Sequence, residues 1–278
     1  MAARNFSLQC IILQTRESSS GGRVVSLLSA EEGILQAFMF GGGKSKLRSL
    51  ASPWHAGTAW LSRDKTDFIK LSDFDPIAEF SSIRGNLEAI AVASLLSEVL
   101  GATHCLGGDY AEAYQLALLV LQNLDTPGQP AAAVLLQFCI QLLESMGLLS
   151  DTAECGQCGC QLAPKAARFY SHGQGNFVCA RCAGRSDNVS MAAPGGSVSS
   201  DDNYGGESGY ASTAGAGYLA VPAGAIVWLE RCRERGFQEA LGIGLAAESG
   251  AVIRSCLLDM LVRSVPGPLR SLSLLAVF

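Results

Sequence analysis

The sequence predicts an α+β chain: a five-stranded N-terminal barrel followed by an all-helical domain that carries a four-cysteine zinc ribbon. Three observations predict it. The first eighty or so residues hold five short apolar runs separated by turn signals. The apolar period then changes from two to three-and-four at Ile83, and two C-x-x-C pairs stand 20 residues apart near the middle of the 278-residue chain.

Each strand is marked by alternation and by the turn beside it. Residues 6–14 form a near-continuous apolar run. Residues 23–28 and 34–40 flank Ala30-Glu31-Glu32-Gly33, and residues 58–62 and 67–71 flank Arg63-Asp64-Lys65-Thr66. Five strands in about seventy residues, with one basic loop, suit the OB architecture, whose face and loops bind single strands. An SH3-like barrel has the same strand count. The expected organisation is an OB-fold nucleic-acid-binding domain at residues 1–80 and a helical domain at 81–278.

From Ile83, the positions Leu87, Ile90, Ala91, Leu95 and Val99 share one helical face, which predicts a helix over 83–100 stopped at Gly101. A second helix fits 109–124, closed by Asp125-Thr126-Pro127-Gly128. A third starts at Pro130, a favoured first-turn residue, and runs to Gly147. Two more fit 222–235 and 251–263. Between them, Gly and Ser supply 15 of the 35 residues from 184 to 218, a composition too poor in apolar groups to offset its ordering entropy, so a disordered insertion is expected there.

The zinc ribbon rests on Cys155-Gly156-Gln157-Cys158 and Cys179-Ala180-Arg181-Cys182. Each C-x-x-C turn brings two thiolates to one ion, so Cys155, Cys158, Cys179 and Cys182 close a tetrahedral shell with no place for substrate water. Such a site is structural, with one zinc per chain. Cys160 offers a further local sulfur that can replace Cys158. Redox C-x-x-C motifs would require a thioredoxin-like strand and helix around each pair, which neither has.

Composition narrows the function classes. A 49% hydrophobic content supplies a real core, and the cysteines outside the knuckles are scattered mostly through apolar segments, as in a reducing cytosol. No long apolar leader or membrane span is evident, so a soluble cytoplasmic protein is expected. The net charge of -5 is unevenly placed: residues 1–72 hold nine Lys/Arg against five Asp/Glu, leaving the remainder strongly acidic. A basic module on an acidic body suits a polyanion partner.

Gly41-Gly42-Gly43-Lys44-Ser45-Lys46 has the G-K-S ending of a phosphate loop, but Phe38 stands where that motif needs glycine. The better reading is a basic loop in which Lys44, Lys46 and Arg48 approach phosphates, with Arg4 and Arg23 as weaker contacts. A second candidate surface is Lys165, Arg168 and Arg181. His55, His104 and His172 sit in no catalytic motif and G-x-S-x-G is absent, so no enzyme is expected.

Several stretches resemble one family. They are Asn5-Phe6 through Cys10-Ile11-Ile12-Leu13, the run Val24-Val25-Ser26-Leu27-Leu28, Glu32-Gly33, Gly41-Gly42-Gly43-Lys44-Ser45-Lys46-Leu47-Arg48, Pro53-Trp54, the paired knuckles and Leu269-Arg270-Ser271-Leu272. In this order they resemble the RecO family of bacterial DNA repair proteins. The resemblance implies a nonenzymatic mediator of the RecF recombination pathway. It would bind single- and double-stranded DNA, anneal complementary strands, contact RecR and the single-stranded-DNA-binding protein, and help load RecA. Such a protein would be cytoplasmic and nucleoid-associated. The rival is a zinc-ribbon scaffold that binds only protein partners through its acidic helical body.

Overall fold

The computed structural model describes residues 4–19, 21–41, 45–104, 110–163, 166, 168–184 and 217–275. The expected disordered insertion lies almost wholly outside these residues. The chain divides into two compact units, one running to Phe138 and regaining the chain at Val265, the other formed by Cys139–Ser264.

Five strands open the first unit: β1 (Arg4–Glu17), β2 (Arg23–Ser29), β3 (Gly33–Met39), β4 (Ala56–Arg63) and β5 (Ile69–Ala78). They form a closed ring in the order β1-β2-β3-β5-β4, with β1 pairing both β2 and β4. The fourteen-residue β1 pairs β4 through residues 4–11 and β2 through residues 10–17, and the register shift between Ile12 and Gln14 is a bulge that bends it around the ring. The short β3–β5 pair is parallel. Gly57 sits at a second register shift, where a Cβ would collide with the Asp75 carbonyl, so the closely approaching β4 and β5 backbones admit only glycine there. Alternate residues point inward: Leu8, Cys10, Ile12, Val25, Leu27, Ala37, Met39, Ala59, Leu61, Leu71 and Phe74 make one core.

Between β3 and β4 lies a short helix, α1 (Lys46–Leu50), absent from the sequence reading. Leu47, Leu50 and Ala51 pack against the barrel core, so residues 46–50 are not a solvated loop. The chain then crosses to β4 through Trp54, held at φ 69 with its amide donating to the Ile12 carbonyl at 2.6 Å and its indole N–H to Ser97 Oγ at 3.2 Å.

Ser97 belongs to α2 (Leu87–Thr103), which follows a 3-10 turn at Ser81–Gly85. The Asn86 side chain caps α2 by accepting from the Glu88 and Ala89 amides. The helix passes the expected stop at Gly101 and ends at His104, which takes the left-handed cap conformation at φ 48. Helix α3 (Tyr110–Asp125) packs with α2, and both lie against the barrel, α2 on β1 and α3 on β1 and β2. The change from strand to helix falls near the expected residue 80, but this packing keeps both helices in one unit with the barrel.

Helix α4 (Ala131–Ser145) contains the division between the units. The second unit has a three-stranded antiparallel sheet in the order β7-β6-β8, from β6 (Arg168–Ser171), β7 (Asn176–Val178) and β8 (Tyr218–Val221). It also holds α5 (Ala180–Ala183), α6 (Ala223–Arg233), α7 (Phe237–Leu241) and α8 (Ala247–Ser264). Asp259 on α8 clamps the β6–β7 hairpin. Its Oδ2 accepts from the buried Tyr170 hydroxyl at 2.8 Å and from Arg263 Nε at 2.8 Å. The Arg263 guanidinium also donates to the Gly173 carbonyl in the hairpin turn.

The segment from Val265 rejoins the first unit and ends in α9 (Leu272–Leu275), which packs on α2. Glu98 of α2 fixes it there by accepting from the Arg270 and Ser271 amides, each at 2.8 Å, and from the Ser271 hydroxyl. Among the described residues, no helix is long and apolar enough to cross a membrane.

Candidate functional site

Five cysteines meet at the open end of the β6–β7 hairpin. The sulfurs of Cys155, Cys158, Cys160 and Cys179 all lie within 4.8 Å of one another. Cys182 stands outside that quartet. It is buried in the same cluster beside Leu162, Val178 and Ala183, and its thiol interacts with those of Cys158, Cys179 and Cys155. Three expected ligands are thus gathered, while two sulfurs, Cys160 toward solvent and Cys182 toward the interior, compete for the fourth corner.

Local backbone chemistry builds this arrangement. The Cys155 amide donates to the Cys160 carbonyl at 2.9 Å and the Gly159 amide to the Cys155 carbonyl at 2.8 Å, winding 155–160 into a tight knuckle. Gly159 takes φ 68, and Gly156 lies so close to the Asn176 side chain that a Cβ would collide with it. On the other side, the Cys179 amide donates to Cys155 Sγ at 3.3 Å. Arg168, one of the alternative phosphate contacts, is fully buried. It braces the knuckle by donating from Nε to the Thr152 carbonyl at 2.7 Å, which removes it from any surface.

Electrostatics favour thiolate at the rim. The Cys158 thiol is pushed down to about 5, first by the Cys160 amide and then by the Arg181 guanidinium, which donates to its sulfur at 3.6 Å. Burial raises Cys182, and the neighbouring Cys158 sulfur raises Cys160. The donor set fits a thiophilic tetrahedral ion. Metal–sulfur bonds of about 2.3 Å give a tetrahedral edge of about 3.8 Å. Cys158 Sγ and Cys179 Sγ are 3.9 Å apart, close to that edge and far beyond a disulfide bond. These residues can hold one metal ion.

The five sequence-named cations of the barrel are placed differently from one another. Lys44 lies outside the described residues, as does the Arg4 side chain, although Arg4 begins β1. Lys46 is exposed on α1. Arg23 and Arg48 converge on one carboxylate, Glu17, at 2.7 and 3.5 Å, and the Arg48 side chain is only 15% exposed. Both have a protein partner already, which Glu17 at the end of β1 supplies and sequence spacing does not reveal. In the second candidate surface Lys165 is outside the described residues and Arg181 is committed to Cys158. His55 stands just before β4, His104 caps α2, and His172 lies in the hairpin turn 3.5 Å from Asp259.

Residues 84–197 match the family model "Recombination protein O C terminal", a span that includes α2, α3, α4 and all five clustered cysteines. The chain is 29% identical over 176 residues to a "DNA repair protein RecO" of Anaeromyxobacter sp. (strain K), covering 62% of this chain and 68% of the relative. It is 29% identical over 182 residues to the protein of that name in Dehalococcoides mccartyi (strain CBDB1), covering 64% and 70%. In Bacillus pumilus the corresponding figures are 27% over 177 residues, 62% and 66%. Residues 84–197 are thus similar to the RecO C-terminal domain, and 62–64% of the chain is similar to proteins named as DNA repair protein RecO.

Proposed function

We propose that this chain is a DNA repair and recombination mediator that binds DNA through an N-terminal OB-fold. It anneals complementary single strands and, with RecR and the single-stranded-DNA-binding protein, assists RecA loading, without catalytic turnover. The observation that carries the reading is the RecO C-terminal match over the segment that bears the cysteine cluster, in a chain whose N-terminus is a five-stranded ring. A ring of antiparallel pairs closed by one parallel pair, with a helix between its third and fourth strands, is the architecture expected of an OB barrel. The cation surplus of residues 1–72 supports a phosphate partner.

In this reading the metal is zinc, one ion per chain, held by Cys155, Cys158 and Cys179 with Cys182 or Cys160 as the fourth ligand. Bound zinc would cross-link the knuckle to the hairpin and α5 and take no part in chemistry. The experiment is a fluorescence-anisotropy titration of labelled single-stranded DNA at two salt concentrations, with a strand-annealing assay alongside. Salt-dependent binding and accelerated annealing are expected. Absence of both at low salt would overturn the reading and leave the protein-binding scaffold in its place.

A further inference from the structure

The outer face of the barrel carries an aromatic group that includes none of the proposed phosphate contacts or metal ligands. On β3, Ala37 and Met39 point into the core, so Phe38 points out, and Phe40, one residue past the strand, is exposed beside it. Their ring centroids are 4.5 Å apart at 59°. Phe68, just before β5, brings a third ring 5.8 Å from Phe38. Phe40 is 53% and Phe68 44% exposed, while Phe38 is seated across Gly22, where any Cβ would strike its ring. Lys70, which pairs with Phe38 across the β3–β5 ladder, places its ammonium 5.3 Å from the Phe40 centroid.

The loop that presents Phe68 is internally fixed. The Asp64 carboxylate accepts from the Thr66 amide at 2.8 Å, the Thr66 hydroxyl at 2.7 Å and the Phe68 amide at 3.1 Å. These bonds occupy the carboxylate and hold it below its usual range, leaving Lys65 exposed at the loop tip. A pre-set loop lowers the ordering cost of any ligand that lands on the ring.

We propose that Phe38, Phe40 and Phe68, with Lys70, form a base-stacking platform for single-stranded nucleic acid. Three rings beside a cation match the two parts of a nucleotide: a π-face stacks on a ring while the phosphate meets the ammonium. An apolar protein partner would instead have to strip water from Lys70 with nothing to replace it. A duplex keeps its base faces stacked internally, so the platform discriminates in favour of single strands. The inference rests on the DNA-binding reading above and assigns it to particular side chains.

The test is the double variant Phe40→Ala/Phe68→Ala, with titrations of single- and double-stranded DNA of equal length and a melting curve to confirm folding. Single-strand affinity should fall at least about tenfold with an unchanged salt slope, because stacking releases no counterions. Duplex affinity should stay within about twofold. Lys70→Ala should instead make the single-strand salt slope shallower by about 0.7. Phe40→Trp, which keeps a π-face, should retain affinity and show quenched emission on binding. Wild-type binding to single strands with no loss in the double variant overturns the platform alone, as does an equal loss for duplex. Failure of the wild type to bind any DNA overturns the DNA-binding reading with it.

Discussion

Substituting the clustered cysteines one at a time should separate three indispensable sulfurs from two interchangeable ones. Cys155, Cys158 and Cys179 belong both to the tight quartet and to the set of sulfurs that Cys182 touches, whereas Cys160 and Cys182 stand at alternative fourth corners. A structural zinc contributes about 10–16 kcal/mol of apparent binding energy, so one of four thiolates accounts for about 2.5–4 kcal/mol. Serine at 155, 158 or 179 should therefore weaken zinc binding by roughly 10²–10³-fold. Cys160→Ser or Cys182→Ser leaves a complete quartet and should cost less than about tenfold each, while the pair together should cost as much as Cys158→Ser, a strongly non-additive result. Competition with a chromophoric chelator, calibrated by metal analysis of the purified protein, measures this directly. A single Cys182→Ser variant as depleted as Cys158→Ser would refute the interchange and make Cys182 an obligatory ligand. The same outcome for Cys160→Ser would make Cys160 obligatory.

Three further outcomes are expected. Glu98→Ala removes an acceptor of two amides and one hydroxyl and should cost about 1–3 kcal/mol, with faster hydrogen exchange at residues 269–273; unchanged exchange there would refute the anchoring role. Burial holds His55 below its ordinary value of 6.5. The unfolded chain therefore takes up the proton first, and the His55 contribution, complete above about pH 6.5, should decline as pH falls toward the lower folded value. Denaturant midpoints between pH 7 and 5.5 measure this, and an equal decline in His55→Asn would remove His55 as the cause. Asp259→Asn keeps one acceptor for Tyr170 but loses the charge facing Arg263, and should loosen the β6–β7 hairpin by about 1–3 kcal/mol, visible as raised exchange at residues 168–178. Exchange equal to wild type would show that the hairpin does not depend on this clamp.

The elements legible in the sequence are those with several periods of pattern. All five barrel strands and α2, α3, α4, α6 and α8 announce themselves by alternation or by three-and-four spacing. Four short helices, α1, α5, α7 and α9, span only four or five residues, too few for a period to emerge. Strand β5 begins later than its composition suggests because Asp67 takes φ 62, which ladder geometry does not admit. At the candidate metal site the C-x-x-C spacing locates the cluster, but the presence of Cys160 in the tight quartet depends on how the knuckle winds through Gly159. The loss of Arg23 to Glu17 across the β1–β2 turn, the loss of Arg48 to the same carboxylate, and the meeting of Phe38 with Phe68 are contacts between segments that single-strand patterns do not encode.

Because α9 follows the Cys139–Ser264 unit in the chain yet docks on α2, the first unit cannot be finished when its barrel leaves the ribosome. The intervening Cys139–Ser264 must be made first, about 6–25 s at about 5–20 residues per second. During that interval the α2 surface that will receive α9 stands uncovered, and the Glu98 carboxylate has no Arg270 or Ser271 amide to accept from. A nascent chain stalled before Val265 would thus carry a complete β-ring on an unsealed helical layer, the state most exposed to chaperone capture or aggregation. Docking of the segment from Val265 acts as the latch that ends this vulnerability.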